Sequence, residues 1–378
     1  MNLPQVIDLA IANNQHLIAT QKRKLAADGE VTTARTFANP SFIAQDTRSK
    51  PNYLIGAGYN FEIGGQRGNR IEIAKSEAEI AGIEYLSELA SLRRDVRLAF
   101  YKVLQVQERQ KQLSASSELA QRLADISQTR FETGDVPRLD VLQAQLESKR
   151  RQIELVQAQG LEKSAKADLN ALMGRDPQSD LQISGYVESE PKNLDLQNLI
   201  ATGLKQRFEM RSSEQEVRAE KGRLALAKSE RIPNLDVQGG TEIHDDTFQY
   251  GWMAGLTMDI PLFDRKQGEI ARATSTIDSL LADQAALKIQ IQAEIVSAYY
   301  RYQSAATQVS GYRSGILTAA DELEAMSEDS YHEGKTGILS VIDSQRNVRQ
   351  VRLEYLDALL DYQAALADLE KASGMELP

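Results

Sequence analysis

The amino-acid sequence predicts a mainly α-helical fold with a small β part, in which one arrangement of helices and strands occurs twice. Three observations predict it: the two halves are similar, each half holds more than 60 residues without proline, and shorter stretches alternate apolar with polar residues. The chain has 8 Phe and 1 Trp beside many Ala, Leu, Gln, Glu and Arg. This composition is typical of long helices and coiled coils.

The similarity between the halves keeps its order along the chain. The stretch that begins at Ala34 aligns with the stretch that begins at Ala227, at an offset of 193 residues, and the offset grows to 200 near the ends of the halves. Ordered matches with a small drift are typical of a tandem duplication with short insertions. We therefore predict two structural repeats, 1–193 and 194–378, which together form one integrated protomer.

Each repeat begins with a predicted amphipathic helix, followed by a β-hairpin. The helices extend from Leu3 to about Phe37 and from Leu194 to about Ile232, and a proline follows each of them. The hairpins are predicted at 40–64 and 233–261, because apolar residues alternate there with polar residues and glycines. The apolar positions are Tyr53, Ile55, Ala57, Tyr59, Phe61 and Ile63 in the first repeat, and Trp252, Ala254, Leu256, Met258 and Ile260 in the second.

A very long helix follows each β-hairpin, from Arg67 to Thr133 and from Lys266 to Glu333. Each would measure about 100 Å, and apolar residues at steps of three and four predict packing as in a coiled coil. The apolar positions of the first helix are Leu92, Val96, Ala99, Val103, Val106, Leu113 and Ala120. Those of the second are Ile291, Ile295, Ala298, Tyr302, Ala305, Val309, Tyr312, Ile316, Ala319, Leu323 and Met326.

Both long helices are expected to end at a glycine and to reverse direction. Gly134 and Gly334 can adopt the positive φ that ends a helix, and Pro137 suits the start of the next one. The predicted return helices are Arg138–Met173 and Ile338–Ala372, so each repeat ends in an antiparallel helical hairpin. We call the turns at 134–138 and 334–338 the tips.

Composition excludes several classes of function. The net charge of -10 and the pI near 5.1 give no basic surface for nucleic acid, so no nucleic-acid partner is expected. Without cysteine the chain has no disulfide, thiolate metal site or lipidated N-terminal cysteine. No signal peptide is recognisable at the N-terminus, and no stretch approaches ~18 apolar residues. Contact with a bilayer would therefore need strands or a surface helix.

The number of strands leads to an expected oligomer. Four strands cannot close a barrel, and in a bilayer only closure satisfies every backbone amide. Two chains would give eight strands with a filled interior, whereas three give twelve, enough for a water-filled lumen. The sequence therefore predicts a homotrimer with a 12-stranded transmembrane β-barrel that is continued by a hollow α-helical barrel.

The sequence resembles the TolC-like outer-membrane efflux channel family over nearly its whole length. The stretches "IGGQRGNRIEIA" from Ile63 and "IPLFDRKQGEIARA" from Ile260 are most similar to the heavy-metal, CzcC/CusC-like branch. The resemblance implies an outer-membrane channel with a long periplasmic extension, and a leader that was removed from this chain. It further implies a periplasmic adaptor (membrane fusion protein) and an inner-membrane RND-type transporter as partners, heavy-metal cations as the exported substrate, and no cofactor.

The resemblance also implies candidate site residues near the tips. Acidic constriction rings of the family correspond to Asp343 and to Ser340, which departs from the acidic pattern. Asp140 is the repeat equivalent of Ser340, and Tyr331 corresponds to a tyrosine that holds the closed state. A solvated charge, a helix-terminus carboxylate or simple packing remain the alternatives for these residues. The adaptor-contact residues implied are Gly134, Asp135, Val136, Pro137, Arg138, Gly334, Lys335, Thr336, Gly337 and Ile338.

Other functions stay open at this point. A TolC-like channel for drug efflux or type I protein secretion is the main alternative, and a soluble coiled-coil scaffold or adaptor is a weaker one. An enzyme is not expected, because His16, His244 and His332 lie more than 80 residues apart and have no nearby partner for a metal or catalytic centre. No metal site is predicted.

Overall fold

The computed structural model describes residues 1–46, 53–187, 192–244, 249–333, 335–375 and 377. Long helices and four strands make up these residues, as the sequence predicts. In chain order they are α1 (Leu3–Asn13), α2 (Gln15–Arg35), β1 (Ser41–Asp46), β2 (Tyr53–Phe61), α3 (Gln66–Glu132), α4 (Arg138–Leu172), α5 (Leu196–Gln206), α6 (Phe208–Ser229), β3 (Leu235–His244), β4 (Gln249–Thr257), α7 (Gln267–Gly311), α8 (Leu317–His332) and α9 (Ile338–Ser373).

The chain divides into two compact units, and each unit takes segments from both halves of the sequence. The first unit consists of Met1–Ile18, Glu88–Arg207 and Gln290–Pro378. The second consists of Ala19–Ser87 and Phe208–Ile289. The four strands therefore belong to the second unit, whereas the ends of both helical hairpins belong to the first.

The strands form one antiparallel sheet in the order β1-β2-β3-β4. The middle pair joins the two halves of the sequence, since β2 pairs with β3 from Tyr53↔Ile243 to Phe61↔Leu235. The side chain of Asn60 donates a hydrogen bond to Asp236 across this pair, at 2.7 Å. Among the described residues β1 and β4 each pair on one side only, so both edges of the sheet present unpaired backbone groups.

One face of the sheet is apolar and exposed, as the alternation of residues predicts. Trp252 is the most exposed large apolar residue of the four strands, with 87% of its surface exposed. The other large apolar side chains exposed on these strands and just beyond them are Phe42, Tyr53, Ile55, Phe61, Ile63, Leu256, Met258 and Ile260. The opposite face of β2 and β3 carries glycine, Asn60, Asp236 and Glu242. A face of this kind requires a cover, and the described residues leave it exposed.

In the first unit, the apolar positions of α3 pack as the heptad spacing predicts. Val96, Val103 and Val106 are buried, as are Leu113 and Ala120 further along the helix. In α7 the predicted positions from Ile291 to Val309 are buried as well. No helix within the described ranges is long and apolar enough to span a membrane.

The first helix of each repeat is interrupted, which corrects the expectation of single helices over Leu3–Phe37 and Leu194–Ile232. Asn14 separates α1 from α2, and Arg207 separates α5 from α6, each with an extended ψ. The Asn14 side chain accepts hydrogen bonds from the backbone N–H groups of His16 and Leu17, both at 3.0 Å. This cap starts a new helix, so the break costs little backbone hydrogen bonding.

The second long helix contains a π-turn at Tyr312–Ile316, which corrects the predicted seam beyond Val309. A π-turn adds one residue to a helical turn, and one residue of an α-helix corresponds to a rotation of about 100°. Beyond it Ala320, Ser327 and Tyr331 are buried, whereas the predicted seam residues Ile316, Ala319, Leu323 and Met326 are exposed. The buried face has moved by one position along the sequence.

Two glycines of the sheet offer a matched test of close backbone packing. A Cβ atom on Gly240 would lie 2.6 Å from the carbonyl oxygen of Ile55, whereas one on Gly255 would meet no atom within 4 Å. We expect Gly240→Ala to lower the stability of the purified protein in detergent by about 1–3 kcal/mol, because the strands must separate. Gly255→Ala is the control and should unfold at the wild-type temperature or higher. Equal effects of both variants on thermal unfolding would contradict the close approach of β2 and β3.

Candidate functional site

The first tip ends α3 through hydrogen bonds of the Schellman type. Gly134 has φ +83, and the backbone N–H of Asp135 donates to the carbonyl oxygen of Arg130 at 2.8 Å. The hydroxyl of Thr133 donates to Asp135 at 3.0 Å. Pro137 then stands before α4, where no backbone donor is needed. The turn therefore follows from the local sequence.

The second tip repeats this geometry 200 residues later. The backbone N–H of Lys335 donates to the carbonyl oxygen of Ser330 at 2.8 Å, which is the equivalent bond. Gly337 precedes α9 with φ -80 and ψ 162, a conformation close to that of Pro137. Gly334 lies outside the described residues. The described residues of the two tips thus share this hydrogen bond and the conformation before the return helix.

An apolar cluster next to the tips holds the two helical hairpins together. It combines α3, α4, α8 and α9, and we call it the tip cluster. Its buried residues are Leu123, Ala124, Ala144, Tyr331, Ile338, Val341 and Ile342. The guanidinium of Arg130 lies 5.5 Å from the centre of the Tyr331 ring. Tyr331 is therefore a packing residue of this cluster, with a cation–π contact to the end of α3.

The residues predicted to contact an adaptor differ in exposure. Ile338 is only 2% exposed, because it belongs to the tip cluster. Val136 and Thr336 are half-buried. The exposed members of the set are Gly134, Asp135, Pro137, Arg138, Lys335 and Gly337. The surface that the tips present to solvent is therefore small, polar and rich in turn residues.

The three polar candidates for a constriction lie in the first turns of the return helices. Ser340 and Asp343 are one turn apart on the exposed face of α9, and the Asp343 side chain is 67% exposed. Asp140 is half-buried in the first turn of α4, where its charge suits the positive end of the helix. The Arg346 guanidinium lies 3.6 Å from an oxygen of Asp343. Asp343 therefore presents its charge to solvent beside a cation.

A buried group of ion pairs joins α4 to α9 just beyond the tips. None of its residues is among the candidates predicted from the sequence. Glu147 bonds to Arg151 on its own helix and to Arg346 on α9, both at 2.5 Å. The side chains of Glu147 and Arg151 are only 8% and 6% exposed. Glu154 extends the group, with Arg151 at 2.6 Å and Arg349 at 3.1 Å. Glu147 and Arg151 are four residues apart in the sequence, a spacing that indicates an ion pair on one face of a helix.

The protonation of this group follows from its partners. Burial alone would raise the pKa of Glu147, but hydrogen bonds from Arg346 and Arg151 outweigh it and hold the pKa below the ordinary value. The hydrogen bond from Arg346 to Glu147 raises the pKa of Arg346 in turn. Burial and the charge of Arg151 lower the pKa of Arg349. The pair Glu147–Arg346 therefore stays ionised near neutral pH and ties the two hairpins together.

The described part of the chain contains no group of three or more His, Asp or Glu side chains that could hold a metal ion. The features gathered near the tips are instead a tight turn, an apolar cluster, exposed Asp343 and a buried ion-pair group. They lie on and between the antiparallel helices of the two hairpins. Such an arrangement suits a wall or a constriction.

The chain matches the family described as outer membrane efflux protein over residues 6–175 and 199–375. These two segments cover most of the sequence. The chain belongs to this family, and it is an outer-membrane efflux channel. The predicted family, fold class and general function are therefore confirmed.

Individual relatives are distant in sequence but similar over their length. The cobalt-zinc-cadmium resistance protein CzcC of Cupriavidus metallidurans is 26% identical over 370 residues, which cover 97% of this chain and 88% of CzcC. The nickel-cobalt-cadmium resistance protein NccC of Alcaligenes xylosoxydans xylosoxydans is 25% identical over 288 residues, 71% of this chain and 62% of NccC. A crystal structure of CusC has a TM-score of 0.82 at 16% identity and covers 99% of this chain and 92% of CusC. The last comparison shows the same fold.

Removing the buried carboxylate tests the link between the hairpins. We expect Glu147→Gln to lower the free energy of unfolding by about 3–5 kcal/mol, because two arginines lose their buried counter-charge. The control Glu108→Gln removes the exposed pair with Lys111 and should change stability by about 0.5 kcal/mol or less. Chemical denaturation followed by circular dichroism measures both variants, and a loss for Glu147→Gln as small as for the control would contradict the assignment.

The same carboxylate predicts a dependence of stability on pH. Because the folded pKa of Glu147 lies below the ordinary value of 4.5, its stabilisation is complete above pH 4.5 and disappears as the pH falls through the folded pKa. Between about pH 3 and pH 6, the unfolding temperature of the wild type should therefore change more steeply with pH than that of Glu147→Gln. Identical slopes would show that this ion pair is not linked to folding.

Proposed function

We propose that this protein is a heavy-metal cation export channel of a tripartite pump. In this proposal three copies form one 12-stranded barrel in the outer membrane, the helices extend into the periplasm, and the tips contact a periplasmic adaptor that is coupled to an inner-membrane transporter. The two halves of the chain, 1–193 and 194–378, act as equivalent repeats within one protomer. The cation substrate is supported by the relatives CzcC and NccC, which are named for resistance to cobalt, zinc, nickel and cadmium.

The observation that carries the proposal is the four-stranded sheet. Its outer strands each leave one side unpaired among the described residues, and its apolar face is exposed from Tyr53 to Trp252. In hydrocarbon an unpaired backbone edge costs several kcal/mol for each group, so only a closed sheet is stable. Pairing β1 of one copy with β4 of the next closes the sheet and leaves the apolar face toward lipid. Twelve strands give a lumen that carries water and ions.

Asp343 is proposed as the cation-selective constriction, with Ser340 one turn before it and Asp140 as the repeat equivalent of Ser340. Three copies would place three Asp343 carboxylates in one ring, which attracts cations where water screens charge poorly. Two observations support this role. The Asp343 side chain is exposed, and it lies six residues after Gly337, which precedes α9. The contact with Arg346 moderates the charge, so the ring attracts cations without trapping them.

The tips are proposed as the adaptor surface. Gly134, Asp135, Pro137 and Arg138 in the first turn are exposed, as are Lys335 and Gly337 in the second. Buried Ile338 and Tyr331 support these turns from inside. Since the two tips share one backbone geometry, three copies would present six equivalent turns to a hairpin of the adaptor.

Substitution of the constriction carboxylate tests the selective ring. We expect Asp343→Ala to shift the reversal potential of the reconstituted channel toward zero in planar bilayers under a KCl gradient, because three negative charges leave the narrow end. Glu118→Ala, an exposed acidic residue on α3, is the control and should keep the wild-type reversal potential. An unchanged potential in Asp343→Ala would remove Asp343 from the proposed constriction.

Growth of a deletion strain tests the substrate. We expect the strain to become sensitive to at least one of zinc, cobalt, cadmium, copper and silver, and the wild-type gene to restore resistance, because the channel is the exit of the pump. Drugs and detergents serve as the second panel, and release of secreted proteins into the medium as the third measurement. Sensitivity to drugs alone, or a secretion defect alone, would favour the alternative of a TolC-like drug or type I secretion channel.

A further inference from the structure

All four strands meet the helices at one end of the sheet. The strand residues there are Ser41 of β1, Phe61 of β2, Leu235 of β3 and Thr257 of β4. The antiparallel register brings them close together, since Phe61 lies opposite Leu235 and Thr257 lies opposite Asp236. The strands and the adjoining helix ends belong to the second unit. This end of the sheet is therefore one continuous border between strands and helices.

The same two kinds of residue occur at every strand of this border. Beyond the strand comes an exposed large apolar side chain, and an arginine stands one to four residues farther from the strand. The pairs are Phe37 with Arg35 before β1, Ile63 with Arg67 after β2, Ile232 with Arg231 before β3 and Phe263 with Arg265 after β4. We call the four arginines the arginine belt.

The guanidinium of Arg67 is held in place with part of its surface unused. Its Nε and Nη2 groups donate to the carbonyl oxygen of Arg35 at 3.0 and 2.6 Å. The same group lies 4.1 Å from the centre of the Phe37 ring. Stacking on an aromatic ring leaves the edge of a guanidinium available for hydrogen bonds. Within the described chain Nη1 of Arg67 has no acceptor, so this edge is open to one from outside.

Several carboxylates near the belt have cations of their own. Glu62 binds Arg70 at 2.5 Å, and Lys266 binds Glu230 at 3.4 Å and Glu269 at 3.3 Å. Each of these three carboxylates is therefore paired with a residue that does not belong to the belt.

The belt itself has no counter-charge among the described residues. Arg35, Arg231 and Arg265 are exposed, and no carboxylate of the described chain forms an ion pair with them. Asp259 and Asp264 are the carboxylates of this border that also have no ion pair. The four arginines therefore exceed them by two charges in each copy, and the border attracts anions.

We propose that the arginine belt binds the headgroup phosphates of anionic phospholipids. This inference rests on the closed barrel proposed above and names the lipid that its helix-side border contacts. The apolar face of the sheet lies toward hydrocarbon in that barrel, so the residues just beyond the strands lie at the level of the headgroups. A guanidinium binds two oxygens of a phosphate with its planar fork. Exposed Phe37 and Phe263 suit the same level, where aromatic residues border the apolar band.

The arrangement of the belt favours a lipid surface over a protein partner. A protein would contact one patch, whereas the apolar residue and its arginine recur at all four strands. The belt is also continuous with the exposed apolar face that includes Phe61 and Ile63. A surface that follows the whole border of a closed sheet matches a bilayer, which surrounds the sheet on every side.

Lipid retention by the purified protein tests the belt. The belt variant is Arg35→Gln/Arg231→Gln/Arg265→Gln, which keeps Arg67 because of its bonds to the end of α2. Each detergent-purified protein is mixed with equal amounts of phosphatidylglycerol and phosphatidylcholine, passed through gel filtration and analysed for bound lipid by mass spectrometry. We expect the wild type to retain mostly phosphatidylglycerol and the belt variant to retain about tenfold less of it.

The matched control removes three exposed positive charges from α3 and α4. It is Arg122→Gln/Lys149→Gln/Arg150→Gln, and it should retain as much phosphatidylglycerol as the wild type. Equal retention by the belt variant, or an equal loss in the control, would overturn the belt and leave the channel standing. Failure of the wild type to insert into phospholipid vesicles, measured by flotation, would instead overturn the proposed barrel.

Fluorescence quenching tests the depth of the border independently. The single tryptophan, Trp252, lies five residues before Thr257, about 17 Å inside the end of β4. In vesicles we expect a spin label in the middle of the lipid chain to quench Trp252 most. In Trp252→Phe/Phe263→Trp a label on the headgroup should quench most. Quenching at position 263 by water-soluble iodide alone would place the border outside the bilayer and overturn the belt. The same result for Trp252 would overturn the barrel.

Discussion

The structure depends on one constraint, which is that a backbone edge in an apolar environment must find a partner. In the sheet, β2 and β3 are the central strands. Within the described residues β1 and β4 are edge strands, each paired on one side only. Its apolar side chains form an exposed face, while glycines and polar residues occupy the other. A single chain cannot satisfy both features, because closure needs more strands than it has. Association of copies follows from hydrogen bonding before any specific side chain is considered.

The first unit meets a similar requirement with helices. Its interior is built from α3, α4, α7, α8 and α9, and small residues such as Ala144, Ala298 and Ala320 allow close packing. Leu146 of α4 and Met326 of α8 remain exposed. Buried ions then fix one arrangement of the hairpins, since Glu147 binds arginines from both. Apolar packing therefore supplies general affinity, and the ion pairs specify the alignment of the helices.

The two tips share backbone hydrogen bonding, whereas the two long helices differ in detail. Both tips use the same backbone bond, from Asp135 to Arg130 and from Lys335 to Ser330. The second long helix alone has the π-turn in the described residues, and the half-buried Asp140 near the first tip has the exposed Ser340 as its counterpart near the second. One extra residue in a helical turn is enough to bring a row of buried side chains to the surface, because side-chain direction depends on the accumulated rotation along the helix.

The sequence by itself determined the four strands, the two helical hairpins and the position of both tips, because hydrophobic period, glycine and proline act over a few residues. It did not predict the breaks at Asn14 and Arg207, because neither glycine nor proline marks them. It did not predict the π-turn at Tyr312–Ile316 either, because apolar residues continue at heptad spacing from Val309 to Met326. Only the tertiary structure decided that Ile338 is buried in the tip cluster and that Glu147 meets Arg346, 199 residues away. Such contacts depend on how separate helices align in space, and no local pattern in the chain encodes that alignment.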